Sequence, residues 1–109
     1  MLKLHNSYSN NVEEFRPDSS SVKVYLCGPT VQSSPHIGHG RSAVVFDFLI
    51  RYLQFSDYQV TFVRNITDIE DKIIQRSEEE GITTEELAER VTKEFQKSYS
   101  DLNCLMPNY

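Results

Sequence analysis

Two hydrophobic periods alternate along the 109 residues. Residues 22–27, VKVYLC, form a short run of β-branched, aromatic and aliphatic side chains, which predicts a buried strand. Residues 58–67, YQVTFVRNIT, predict a second strand, with Val60, Phe62 and Arg64 on one face and Thr61, Val63 and Asn65 on the other. Between them, SAVVFDFLIRYLQF at 42–55 is apolar around most of its circumference, broken by Asp47, Arg51 and Gln54. That pattern predicts a helix buried on more than one side. DIEDKIIQRSEEEG predicts a helix capped by Asp68 and stopped at Gly81. In the next stretch Leu87, Val91, Phe95 and Tyr99 recur four apart along one helical face. Thr83 followed three residues later by Glu86 is a capping-box pattern. At the head of the chain, two short extended pieces flank Tyr-Ser-Asn-Asn and predict a hairpin over residues 2–16.

The order strand, loop, helix, strand, helix is a βαβ unit, so the two strands are expected to be parallel with a right-handed crossover. One unit supplies two sheet strands, fewer than an open α/β sheet normally has. The expected fold class is α/β: the first half of a Rossmann-like nucleotide-binding domain, a parallel sheet with flanking helices plus the N-terminal hairpin. No internal repeat or low-complexity segment interrupts it.

Composition changes this picture only by exclusion. Hydrophobic residues make up 39% and charged residues 25%, the values of an ordinary globular chain. No apolar run approaches the roughly 20 residues of a membrane span. The first residues, MLKLHNSYSNN, have neither the basic nor the apolar region of a secretory signal. A cytoplasmic location is therefore expected, with Cys27 and Cys104 as free thiols. The net charge of −5 opposes a nucleic-acid surface on these residues alone. The acidic stretch SEEEGITTEELAE is read as a solvated helical region.

Candidate chemistry concentrates in residues 27–41, an expected irregular loop that holds three of the four glycines and two of the four prolines. Ligands of open α/β folds sit at the carboxyl ends of strands, and this loop and residues 64–71 both leave such ends. A helix N-terminus offers unpaired N–H groups and partial positive charge. His36 and His39 can donate to phosphate oxygens from a neutral or a charged ring, and Arg41 adds a cation. Gly38 and Gly40 remove side chains where a flat ring or a phosphate would approach. Neither a P-loop nor a G-x-G-x-x-G fingerprint is present. Taken alone, two histidines at this spacing are commonly incidental, and a metal needs more ligands than two. Cys27 alone reads equally as a small buried hydrophobe, and Thr67 as a helix cap. Asp68, Glu70 and Asp71 suit the first turn of a helix and are left out of the site.

Taken together, the strand, Cys27-Gly28-Pro29-Thr30, His36-Ile37-Gly38-His39-Gly40-Arg41 and the apolar helix resemble the cysteinyl-tRNA synthetases, class I aminoacyl-tRNA synthetases. The HIGH motif is present letter for letter at 36–39, YQVTFVRNITDIEDKII resembles the stretch that follows it, and the likeness runs over essentially all 109 residues. It implies ATP-dependent activation of cysteine to cysteinyl-adenylate, with magnesium accompanying ATP, and transfer to tRNA(Cys). It further implies His36 and His39 as catalytic groups on the ATP phosphates, and Gly38 as space for the nucleotide. Gly28 and Thr67 would lie near the substrate cysteine, and Cys27 would be the first of four zinc ligands. Gln32 stands where many members carry an aromatic residue. The alternatives are the cysteine ligase of mycothiol synthesis or another adenylyl-transferring enzyme, and a non-catalytic module that binds nucleotide or a partner.

The remaining zinc ligands, the KMSKS loop and the anticodon-binding helices that the resemblance implies are not found in the sequence. Residues 1–109 are thus expected to be the N-terminal portion of a class I catalytic domain. Alone they are expected to be monomeric and inactive, to bind tRNA weakly and to hold zinc weakly or not at all.

Overall fold

β3 (Ser21–Leu26) and β4 (Gln59–Arg64) lie side by side and parallel in the computed structural model, which describes all residues from Met1 to Tyr109. Val22 stands opposite Val60, and Leu26 opposite Arg64. α1 (Ile37–Phe55) makes the crossover between them. α2 (Asp71–Glu80) and α3 (Thr84–Asp101) follow β4. The expected α/β architecture with a parallel βαβ unit is therefore present. β1 (Lys3–Asn6) and β2 (Asn11–Glu14) form the expected antiparallel hairpin, turning through Ser7–Asn10 with Asn10 in the left-handed region at φ 57°.

α1 begins at Ile37, five residues before the sequence pattern placed it. Only residues up to His36 are loop, so His36 to Arg41 are the helix's cap and first turn. The glycines delay the apolar pattern, but two histidine side chains cap the backbone and let the helix start early. α2 begins later than expected, at Asp71, with Glu70 at the N-cap and no side-chain cap bond. Asp68 is not the cap. Thr67 forms a parallel bridge with Thr30, which holds the chain extended past the end of β4. Gly81 ends α2 at φ 68°, and Thr83 and Glu86 form the predicted capping box of α3.

One buried cluster joins the helices, and further buried side chains lie in α1 and the sheet. Leu87, Val91, Phe95 and Tyr99 of α3 are all buried, packed with Val31, Ala43, Ile73 and Cys104. Ile50 and Leu53 of α1 are buried with Val22 and Phe62 of the sheet. α1 is buried along one face only, through Ala43, Ile50 and Leu53: Val44, Val45, Phe48 and Phe55 are exposed, Phe48 at 73%. A two-stranded sheet is too narrow to cover a helix that is apolar all round.

The last residues, loop-like in sequence, run along the outer edge of β4. The Asn108 N–H donates to the Phe62 carbonyl at 2.7 Å, and the Phe62 N–H donates to Asn108 Oδ1 at 2.7 Å. Asp47 Oδ1 accepts the Leu105 N–H at 2.6 Å, and Arg51 donates to the Asn103 carbonyl at 2.8 Å, which ties this segment to α1. The radius of gyration, 16.5 Å, exceeds the roughly 13 Å of a compact chain of this length. The exposed hairpin fits that elongation.

Candidate functional site

The carboxyl ends of β3 and β4 are joined beyond the last ladder pair. Val31 N–H donates to the Thr67 carbonyl and Thr67 N–H to the Pro29 carbonyl, each at 3.1 Å. Three residues, Cys27 to Pro29, span on one strand what Asn65 and Ile66 span on the other, between the Leu26–Arg64 pair and the Thr30–Thr67 bridge. The extra residue makes the chain bulge, and Asn65 fills the space. Its Oδ1 accepts the Gly28 N–H at 2.6 Å, and a Cβ at Gly28 would sit 1.7 Å from the Asn65 carbonyl oxygen. Gly28 is thus required by the backbone that passes it. Both loops line one edge, as the sequence predicted.

The histidine pair forms a reciprocal cap. His36 Nδ1 accepts the Gly38 N–H, and His39 Nδ1 accepts the His36 N–H, both at 3.1 Å. An imidazole nitrogen that accepts carries no proton, so this cap requires the Nε2–H tautomer of each ring. Two Nε2–H donors are left, on rings whose centroids are 4.0 Å apart. Phe95 meets His39 edge-on at 4.8 Å and fixes its plane. Burial, then the neighbouring His36, holds the His39 pKa below its ordinary value, favouring the neutral ring that the cap requires. Gly38 has a local reason as well: a Cβ there would come within 2.9 Å of the His36 ring. Gly40 faces Leu102, at 3.2 Å for a Cβ, so its missing side chain also makes room for the chain's own packing.

Beside this cap lies an open cleft of about 260 Å³, lined among others by Cys27, Gly28, His39, Ser42, Arg64 and Tyr99. Of the residues named from sequence, the cleft brings together Cys27, Gly28 and His39. His36 and Gly38 adjoin it through the cap, on the exposed side of the helix start. Thr67 lies outside the lining, its backbone bound to Pro29 and Val31. Gln32 borders a separate groove with Lys72 and Arg76. Cys27 is exposed and carries a free thiol, so it is not the buried hydrophobe of the simpler reading. No group of three or more His, Cys, Asp or Glu side chains is placed to hold a metal. A four-ligand zinc site is not fitted by these residues alone.

Sequence reasoning did not single out Arg64, Ser42, Tyr99 or Asn65. Arg64 left a signal: a cation two residues after Phe62 on a strand that is otherwise apolar on that face. Tyr99 was visible only as a core position.

The family model for the tRNA synthetases class I (C) catalytic domain matches residues 14–109. The chain belongs to this family. It is similar to the cysteine–tRNA ligase of Rickettsia massiliae, 49% identical over 108 residues that cover 96% of this chain and 24% of that protein. The cysteine–tRNA ligase of Erwinia tasmaniensis is 47% identical over 109 residues, covering 99% of this chain and 24% of the relative. That of Maridesulfovibrio salexigens is 50% identical over 105 residues, covering 95% and 22%. The chain spans about a quarter of the length of these curated relatives. In this synthetase family member, no helix is long and apolar enough to cross a membrane.

Proposed function

We propose that the chain is the N-terminal portion of the catalytic domain of a cysteine–tRNA ligase, acting in the cytoplasm. The reaction is activation of cysteine by ATP followed by transfer of the cysteinyl group to tRNA(Cys). In the first step a cysteine carboxylate oxygen attacks the α-phosphorus, the bond to the bridging oxygen breaks, and magnesium pyrophosphate leaves. Such a step needs alignment and stabilisation of charge on phosphate oxygens, and no protein nucleophile. The reciprocal cap carries the reading, because it occupies both Nδ1 atoms and leaves two Nε2–H groups as donors at one helix start. His36 and His39 donate to the ATP phosphates, and Gly38 keeps the space before the His36 ring clear. The Gly28 carbonyl, which accepts a long contact from the Cys27 thiol at 3.9 Å, is placed to take the substrate ammonium group, and the Thr67 hydroxyl, which has no partner in the fold, serves the same task. Cys27 is proposed as one thiolate of a zinc site whose other ligands come from outside these residues. When bound, zinc would favour a thiolate over a hydroxyl and so cysteine over serine.

The test is a chimera. These 109 residues replace the matching segment of the Erwinia tasmaniensis enzyme, and cysteine-dependent ATP–pyrophosphate exchange is measured. Exchange is expected with cysteine and not with serine. His39→Asn is expected to lower kcat by about 10²–10³-fold, the usual cost of one such donor. A chimera that folds, with native circular dichroism and a cooperative melt, yet shows no exchange would contradict the proposal. The isolated chain is expected to be monomeric and to show no exchange.

A further inference from the structure

Arg64 closes β4, and its side chain shares a sheet face with Phe62. Its guanidinium carbon lies 5.1 Å from the Phe62 ring centroid and 4.4 Å from that of Tyr99. Two aromatic faces thus hold the plane of one half-buried cation. The chain carries 16 acidic residues, yet none forms an ion pair with Arg64. Arg16, Arg51, Arg76 and Arg90 pair with carboxylates, and Arg41, the other arginine without an ion pair, is exposed to solvent. The Arg64 side chain also donates no hydrogen bond, although its backbone N–H reaches the Tyr109 carbonyl. A partly desolvated charge without a counter-charge is costly. The rings offset part of that cost and leave the N–H fork free. The fork borders the cleft that holds the Cys27 thiol and the His39 ring, and no carboxylate lines that cleft.

We propose that Arg64 is the anion-recognition residue of this cleft. Its guanidinium binds an oxyanion, a carboxylate or a phosphate group, on a ligand whose remainder lies toward Cys27. A planar fork matches either group with two parallel hydrogen bonds. The inference deepens the cysteine-activation reading by naming what holds the substrate's anionic end, and rests on that reading for the identity of the amino acid.

The test uses the wild-type 109-residue chain and reads the Arg64 Nε–Hε resonance by NMR during titration with L-cysteine, cysteamine or inorganic phosphate at constant ionic strength. A saturable shift is expected with an oxyanion and none with cysteamine, which has the thiol and amine but no carboxylate. A shift with cysteine alone assigns the carboxylate, a shift with phosphate alone assigns a nucleotide phosphate, and both together assign the shared chemistry. Followed by the backbone amide signals of Cys27 and His39, which line the same cleft, Arg64→Gln is expected to weaken binding tenfold or more, by about the worth of a charged hydrogen bond. Arg64→Lys keeps the charge without the fork and is expected to fall between. Arg16→Gln, at the surface, is expected to match wild type. Absence of a saturable shift with either anion, or an equal shift with cysteamine, overturns the proposal. No ATP or tRNA is present, so binding at Arg64 beside an inactive, folded chimera would overturn the activity reading alone.

Discussion

His36 caps α1 through Nδ1 and has one polar group left, Nε2–H. Cap and donor can be separated by substitution. Asn is a favoured cap residue, so His36→Asn is expected to keep the stability of the fold. His36→Ala should lose about 1 kcal/mol, read from urea unfolding. Both remove the Nε2–H donor, so equal loss of ATP binding with unequal stability is the expected pattern. Equal stability of the two variants would argue against the cap. His39 gives a pH dependence. Its folded pKa lies below the ordinary 6.5, so the unfolded chain takes up a proton at higher pH than the fold does. The contribution is full above about pH 6.5 and is lost as pH falls through the folded value. The urea midpoint is expected to drop between pH 7.5 and 5.5, and His39→Gln to flatten that drop. Glu13, Glu80, Glu85 and Glu89 are held below 4.5, chiefly by hydrogen bonds, and act further into acid. An unchanged slope in His39→Gln would remove His39 as the cause.

At the scale of elements, the joint between β3 and β4 sets the site. Gly28→Ala drives a Cβ against the Asn65 carbonyl, a backbone atom with little freedom to yield. A destabilisation of about 2–3 kcal/mol is expected, the upper part of the range for overpacking, measured as a shift in the urea midpoint. A change below about 0.5 kcal/mol would mean that the joint is loose. The parallel pair, α3's buried face and the Thr83 cap were legible in the sequence because each rests on local spacing. The starts of α1 and α2 were not. α1 starts early because His36 and His39 satisfy its first N–H groups, and histidine is a poor predictor of a cap. α2 starts late because Thr67 is held by Thr30, a contact 37 residues away in the chain. The same holds for the cleft. Cys27, Gly28 and His39 announce themselves by type, whereas Arg64 and Tyr99 meet only after α3 has folded back.

At the scale of the molecule, apolar surface is the main feature. Only 14 of 109 residues are buried, while Tyr25, Val45, Phe48 and Phe55 are more than half exposed. Little core opposes the entropy of ordering the chain. We expect the isolated chain to unfold with less than about 5 kcal/mol, below the usual range for domains, and to bind a hydrophobic dye while folded. Urea unfolding followed by circular dichroism checks the first, and a stability above about 8 kcal/mol would contradict it. The apolar faces and the charge of −5 leave the histidine cap, the cleft and Arg64 as the polar features facing one edge. The cap is proposed to present two Nε2–H donors to a phosphate chain. Long-range ¹H–¹⁵N spectra of the imidazole rings, recorded before and after addition of ATP, test this directly. Both rings are expected as Nε2–H tautomers at pH 7.5, with both Nε2 signals shifting saturably as ATP binds; Nδ1–H tautomers, or Nε2 signals indifferent to ATP, would contradict it.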